Sequence, residues 1–146
     1  MEACLDANVF VSCLTPEEDH EESLQLVKIL SEQDVSLFEP SLVIFEVVSV
    51  LRRKVLLKEI TQIQMDKAVD LFFQLPLLLQ WQDYILKKAG RFSRKLGLKN
   101  VYDSSYLAVA QAREIPLITL DKDFHKKGQK VYKNLFSVRE YLRKII

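Results

Sequence analysis

Little in this sequence permits anything but an ordinary folded chain. Its 146 residues include three glycines, four prolines, two cysteines and two histidines. So little glycine and proline excludes collagen-like repeats, Pro-rich tracts and long flexible linkers. Cys4 and Cys13 are too few for a disulfide framework and form no C-x-x-C pair. Cys4 lies in an apolar run, so it reads as a buried free thiol, which implies a reducing compartment. No run of 18 apolar residues exists to span a membrane. The opening Met1-Glu2, with its first apolar stretch broken at Asp6, lacks the features of a secretory signal. A cytoplasmic protein with no membrane association is expected. Neither histidine occurs in a ligand-like pattern: His20 sits among acids and His125 among lysines, and both read as surface residues.

What is present is a balanced globular composition, 49% apolar and 28% charged. A chain of this length can bury a core without staples, and one domain spanning residues 1–146 is expected. The net charge of +1 conceals an asymmetry. Residues 1–46 carry eleven acids against one lysine, whereas residues 47–146 carry twenty Lys/Arg against nine acids. The basic residues either solvate helix faces or form a surface beside a polyanion site.

Apolar periodicity gives a coarse element order. A buried strand ends near Asp6 and a helix starts after it. Thr15-Pro16-Glu17-Glu18, with proline in the first turn and acids behind it, opens a second helix running to about Gln33. Val35–Phe38 reads as a strand. A helix from Leu42 to Lys58 begins apolar nearly all round, which predicts deep burial. Another follows from Thr61, a cap, to Gln74. Leu77–Leu79 suits a short strand, and residues 82–96 an amphipathic helix stopped by Gly97. After a turn at Asn100–Tyr102, Asp103–Arg113 is a helix rich in alanine. Ile115–Leu120 is the cleanest strand, Val131-Tyr132 a candidate last strand, and Ser137–Ile146 a terminal helix. Strands alternating with helices, without hairpin links, point to an α/β sandwich around a parallel sheet.

Four acids are out of place in this pattern. Asp6 and Asp121 each end a strand, and in parallel sheets the carboxyl ends are where ligands bind. Either could instead make a cap or turn. Asp103 precedes a helix and taken alone is an N-cap. Glu46 lies within LVIFEVVSVL; an ionised carboxylate there must be paired, protonated or metal-bound. Arg53 is on the same helical face but two turns away. Thr119 shares a sheet face with Asp121, and Asp123 lies just beyond in the loop. Several carboxylates at one sheet edge repel one another. A hard divalent cation relieves this, and oxygen-only ligands favour Mg²⁺ or Mn²⁺ over zinc. Such a site activates water and neutralises a phosphodiester.

The segments LDANVFVS, PSLVIFEVVSVLRR and NVYDSSYLAVAQAREIPLITLDKDF occur in an order and spacing that resemble the PIN-domain nucleases, above all the small toxins of VapC type. The resemblance covers nearly the whole chain. It implies a PIN-like three-layer sandwich, a central parallel sheet flanked by helices. It implies that Asp6, Glu46, Asp103 and Asp121 bind metal and catalyse, that Asn8 and Thr119 support the site by hydrogen bonding, and that Asp123 is an accessory acid. The implied activity is Mg²⁺- or Mn²⁺-dependent endonucleolytic cleavage of RNA, as the toxin of a toxin–antitoxin pair. An antitoxin partner and a homodimer are implied as well. The sequence departs from the family at Ala7, where relatives often carry Thr or Ser; Asn8 is placed to supply the missing polar contact.

Three other readings compete. A haloacid dehalogenase-like phosphatase needs D-x-D, and position 8 is Asn. A response-regulator receiver has no place for an acid in the middle of an apolar helix. A PIN-like module that binds nucleic acid or protein without cutting differs in class, and a metal-dependent cleavage assay discriminates it.

Overall fold

The computed structural model describes residues 1–146. Five parallel strands form one sheet in the order β3-β2-β1-β4-β5: β1 (Glu2–Leu5), β2 (Ser36–Pro40), β3 (Leu77–Gln80), β4 (Leu117–Thr119) and β5 (Leu135–Ser137). The eight helices are α1 (Ala7–Leu14), α2 (His20–Glu32), α3 (Val43–Leu56), α4 (Gln62–Phe73), α5 (Asp83–Leu96), α6 (Tyr102–Arg113), α7 (Lys122–Gly128) and α8 (Val138–Ile145). The result is an α/β three-layer sandwich, a central parallel sheet flanked by helices. Helices α1 to α4 pack mainly on one another, while α6 lies on β1, β2 and β4 with α5 outside it. A cluster of 33 buried apolar residues joins the layers. No helix is long and apolar enough to cross a membrane.

The strand order fixes where a site can form. From central β1 the chain winds outward to β2 and β3, then returns to build β4 and β5 on the other side. The winding reverses between β1 and β4, and such a reversal opens a crevice at the carboxyl ends of the two strands. Asp6 and Asp121 follow those two ends. Strand β1 is buried at Ala3, Cys4 and Leu5, as expected for a central parallel strand covered on both faces.

Local chemistry accounts for the helix limits. Thr61 caps α4 with a full capping box: its side chain accepts from Gln64 N–H, and the Gln64 side chain accepts from Thr61 N–H. Gly97 ends α5 at φ +67, the left-handed conformation that glycine adopts without penalty. On α4, Phe72 is buried and meets Phe10 edge-on at 5.3 Å.

Several sequence expectations need correction. The last strand is Leu135–Ser137, not Val131-Tyr132. The Tyr132 hydroxyl, 3.0 Å from the Ala110 carbonyl and 2.6 Å from that of Ile115, instead pins the end of α6 to the start of β4. Residues 122–128 form helix α7 rather than a loop. Helix α2 starts at His20, because Thr15 closes α1 by donating its hydroxyl to the Val11 carbonyl at 2.8 Å. Strand β2 runs on to Pro40. Helix α3 is buried along Val43, Val47 and Leu51 only, and Phe45 stands 72% exposed. Its outer face borders a cleft rather than the core. The histidines are not free surface residues either: His20 Nδ1 lies 2.8 Å from the Ser12 carbonyl, and His125 Nε2 lies 2.8 Å from Glu140 Oε2.

Two helical glycines sit in opposite environments. A Cβ at Gly90 in α5 would meet nothing within 4 Å, whereas at Gly128 in α7 it would fall 2.5 Å from the buried Leu135 Cδ2. Gly90→Ala should therefore stabilise by about 0.5–1 kcal/mol. Gly128→Ala should destabilise by about 1–3 kcal/mol through overpacking. Urea unfolding of both variants measures the two shifts, and equal signs would contradict this packing.

Candidate metal and nucleic-acid site

At the β1–β4 crevice, side chains take over from the sheet ladder. Asp6 occupies the N-cap position of α1 but makes no side-chain cap bond. Its Oδ2 instead accepts from Thr119 Oγ1 at 2.8 Å and from Asn8 Nδ2 at 3.2 Å. Asn8 Oδ1 accepts from Leu120 N–H at 3.2 Å, and Thr119 Oγ1 accepts from Asp121 N–H at 3.0 Å. Asp6 and Thr119 are thus buried yet satisfied, as buried polar groups must be. Asp121 caps α7, its Oδ1 accepting from Phe124 N–H at 2.9 Å.

The two remaining acids come from helices. Glu46, in the first turn of α3, accepts a long hydrogen bond from the Tyr106 hydroxyl at 3.4 Å through Oε2. Its Oε1 is buried without a partner. Asp103 lies in the first turn of α6, whose N-cap is Val101, so it is not the cap that its sequence position suggests. Asp6, Glu46, Asp103 and Asp121 line one cavity of about 470 Å³, together with Asn8, Glu17 and Arg53. Asp123 does not line it and stays exposed on α7.

The electrostatics record this crowding. Burial, with the Asp103 and Glu46 charges behind it, pushes the Asp6 carboxyl up to about 7, even though the Thr119 hydroxyl favours its ionised form. Burial and the Asp103 charge push Glu46 up to about 7 as well. Asp103 is raised by burial and by the Asp121 charge. Asp6, Glu46 and Asp103 are each opposed in ionised form by a neighbouring charge as well as by lost water.

No three acids, histidines or cysteines are drawn close enough to hold one metal ion between them. The donor set still suits a hard cation: carboxylate oxygens alone, one of them buried without a partner. Mg²⁺ keeps several waters and needs few direct protein ligands.

Sequence reasoning missed two further acids. Glu17 lines the cavity but is neutralised by Lys54 at 2.7 Å. Glu39 in β2 is fully buried. Its Oε1 accepts from Leu5 N–H at 2.7 Å, and the Cys4 thiol donates to Oε2 at 3.4 Å. The β1–β2 register ends at Ala3↔Leu37, so the carboxylate satisfies an amide of β1 that main-chain pairing no longer reaches. An acid between Phe38 and a strand-ending Pro40 was the available signal.

Basic residues gather away from the acids. Lys87, Lys88, Arg91, Arg94 and Lys95 line an open groove of about 820 Å³ along α5. Arg53 stands in the acid cavity itself and forms no ion pair.

A family model described as PIN domain matches residues 3–130. Among solved structures, PAE2754 from Pyrobaculum aerophilum superposes with a TM-score of 0.68 at 19% identity, covering 99% of this chain and 88% of its own. VapBC2 from Rickettsia felis, bound to a DNA fragment from its promoter, gives 0.66 at 20% identity, covering 94% and 97%. FitAcB from Neisseria gonorrhoeae gives 0.60 at 17%, covering 94% and 98%. At such identities these likenesses establish the fold. Comparison with curated proteins finds no match.

Glu39 generates a pH prediction. Burial is the largest influence on it; the Leu5 N–H and the Cys4 thiol oppose that, Asp6 adds to it, and the net effect is a carboxyl raised well above 4.5. A raised native pKa means that the folded state holds its proton more tightly than the unfolded chain. Its contribution is therefore full below about pH 4.5 and is lost as pH rises through the native value. Glu39→Gln keeps an acceptor for Leu5 and cannot ionise. Its melting temperature relative to wild type should climb as pH rises above about 4.5; a flat difference would contradict the burial of this acid.

Proposed function

This chain belongs to the PIN-domain family, and from that premise we propose that it is a Mg²⁺- or Mn²⁺-dependent endoribonuclease, the toxin of a toxin–antitoxin pair. The observation that carries the reading is the unpartnered, buried Glu46 Oε1 beside three more carboxylates at the topological switch point. A fold gains nothing from such an arrangement by itself, since each added acid raises the cost of the others. A cation removes that cost.

In this reading Asp6, Glu46, Asp103 and Asp121 hold the metal. When bound, it supplies an activated water and neutralises charge on the scissile phosphodiester. The chain's other residues position and shield. Thr119 and Asn8 fix the Asp6 carboxylate by two hydrogen bonds, a contact that suits the site without a hydroxyl at Ala7. Tyr106 holds Glu46 from behind. Arg53, free of ion pairs, offers a guanidinium to a substrate phosphate, and the α5 groove offers further positive charge to the strand. Asp123, exposed on α7, stays accessory.

Asp103→Asn separates this reading from a PIN-like module that binds without cutting. It should abolish cleavage of a generic RNA in Mg²⁺ or Mn²⁺, as EDTA should for wild type. In EDTA the variant should also melt slightly higher, by roughly 1 kcal/mol or less, because relief of repulsion is partly screened by water and partly offset by a lost helix-dipole contact. Added Mg²⁺ should stabilise wild type more than the variant. Undiminished cleavage by wild type in EDTA would overturn the mechanism; absent cleavage with intact RNA binding would favour the binding module.

Two partners follow. The VapBC2 structure and a toxin–antitoxin complex from Klebsiella pneumoniae share this fold, which supports an antitoxin for this chain too. A homodimer is supported by apolar side chains left exposed on α4 and at the end of α3, Leu56, Leu57, Ile63, Leu71 and Phe73 among them, since exposed apolar surface favours association. Light scattering at tens of micromolar should give a dimer, and Phe73→Asp, outside the core, should shift it toward monomer. A wild-type monomer at that concentration would contradict the dimer.

A further inference from the structure

A second cavity, of about 510 Å³, adjoins the acid cavity and shares Glu46, Val50, Arg53 and Asp103 with it. Its character differs. Two aromatic rings border it, Phe45 and Tyr102, at 72% and 56% exposure. Each immediately precedes an acid of the site: Phe45 precedes Glu46, and Tyr102 precedes Asp103. Two helices from different parts of the chain thus each bring an acid and, beside it, a ring that the core does not use.

On α3 the residues facing this cavity repeat at helical spacing: Phe45, Ser49 and Arg53. Phe45 and Arg53 are eight positions apart, a rise of about 12 Å along the helix axis. Arg53 has no acidic partner, so its charge is free for a phosphate. Across the cleft stand Asn100, Tyr102 and Asp103. An anionic strand with flat, unpaired bases matches this surface. Its phosphate meets Arg53 where the two cavities join, and its bases meet the rings.

We propose that Phe45 and Tyr102 form a base-stacking subsite for single-stranded RNA, with Arg53 as its phosphate contact, next to the four-carboxylate cavity. The assignment rests on the ribonuclease reading above for its choice of ligand. It adds the side chains that would meet the bases, and unpaired strands suit them because paired bases present no free faces to rings on a cleft wall. Stacking tolerates any base, so the subsite confers strand-form selectivity more than sequence selectivity.

The test measures binding rather than cleavage, so that it can fail separately from the nuclease reading. Wild type, Phe45→Ala, Tyr102→Ala, Phe45→Trp and Tyr102→Phe are titrated in EDTA with a short single-stranded oligoribonucleotide carrying 2-aminopurine. The same titration uses an abasic strand and a duplex of equal length. Both rings are largely solvated, so the alanine variants should fold, and circular dichroism checks this. Each alanine variant should weaken single-strand binding by about 5- to 100-fold and abolish the fluorescence quenching that stacking produces. Phe45→Trp and Tyr102→Phe should retain both. The abasic strand and the duplex should bind weakly and respond little to either ring. Unchanged single-strand affinity in both alanine variants would overturn the proposal. So would equal losses on the abasic strand, or a switch of oligomeric state with RNA affinity intact, which would assign the rings to a protein interface. If wild type never cleaves yet the rings show the expected losses, the subsite stands and the nuclease reading falls.

Discussion

The hydrogen-bonded clasp between the ends of β1 and β4 is the constraint on which the rest of this molecule depends. Thr119 Oγ1 donates to Asp6 and accepts from the Asp121 amide, and Asn8 reaches from Asp6 to the Leu120 amide. Five residues from two distant segments are thereby locked at the switch point of the sheet. Without these contacts a buried Asp6 would carry the full cost of desolvation. With them its carboxylate is fixed, and Asp121 is set at the start of α7, where it caps the helix. One set of bonds satisfies the backbone and aims the acids.

The cleft is built against the grain of stability. Three acids in or beside it are raised, each first by burial and then by its neighbours' charges, while the cluster of 33 buried apolar residues below supplies the cohesion. The charge of the chain is arranged to match: the acid-rich first third provides Asp6, Glu17 and Glu46, and the basic remainder provides the α5 groove and Arg53. The positive charge along α5 and the acids of the cavity thus occupy separate surfaces, with Arg53 the one cation that stands among the four carboxylates.

Much of this was legible in the residues because it follows short-range periodicity. The apolar runs ending at Asp6 and Leu120 marked central strands, Thr61 and Gly97 marked helix limits, and the order of elements marked a parallel sheet. What escaped depends on distant partners. Val131-Tyr132 has the composition of a strand, yet the Tyr132 hydroxyl is claimed by two carbonyls of the α6–β4 link. The apolar opening of α3 looked like core; its outer side turned out to border a cleft, which the helix pattern cannot announce. A strand ending at Phe38 would place Glu39 in a loop, whereas β2 runs on to Pro40. Only the parting of β1 from β2 explains why an acid belongs there. Asp103 looked like a cap because its N-terminal position in a helix was visible and the true N-cap, Val101, has no capping chemistry to recognise.

The strand order also governs when the site can come into being. Central β1 is made first, but its second neighbour, β4, begins at Leu117, so more than a hundred residues must be synthesised before the two can pair. Contacts of such long sequence separation form late, after the entropy of closing the loop has been overcome. A growing chain that has emerged only through α5 already holds Asp6 and Glu46 but lacks Asp103, Thr119 and Asp121. A domain generally folds as a unit, so the complete carboxylate constellation cannot arise before β4 and Asp121 have been made. A partly made polypeptide therefore cannot assemble the whole site.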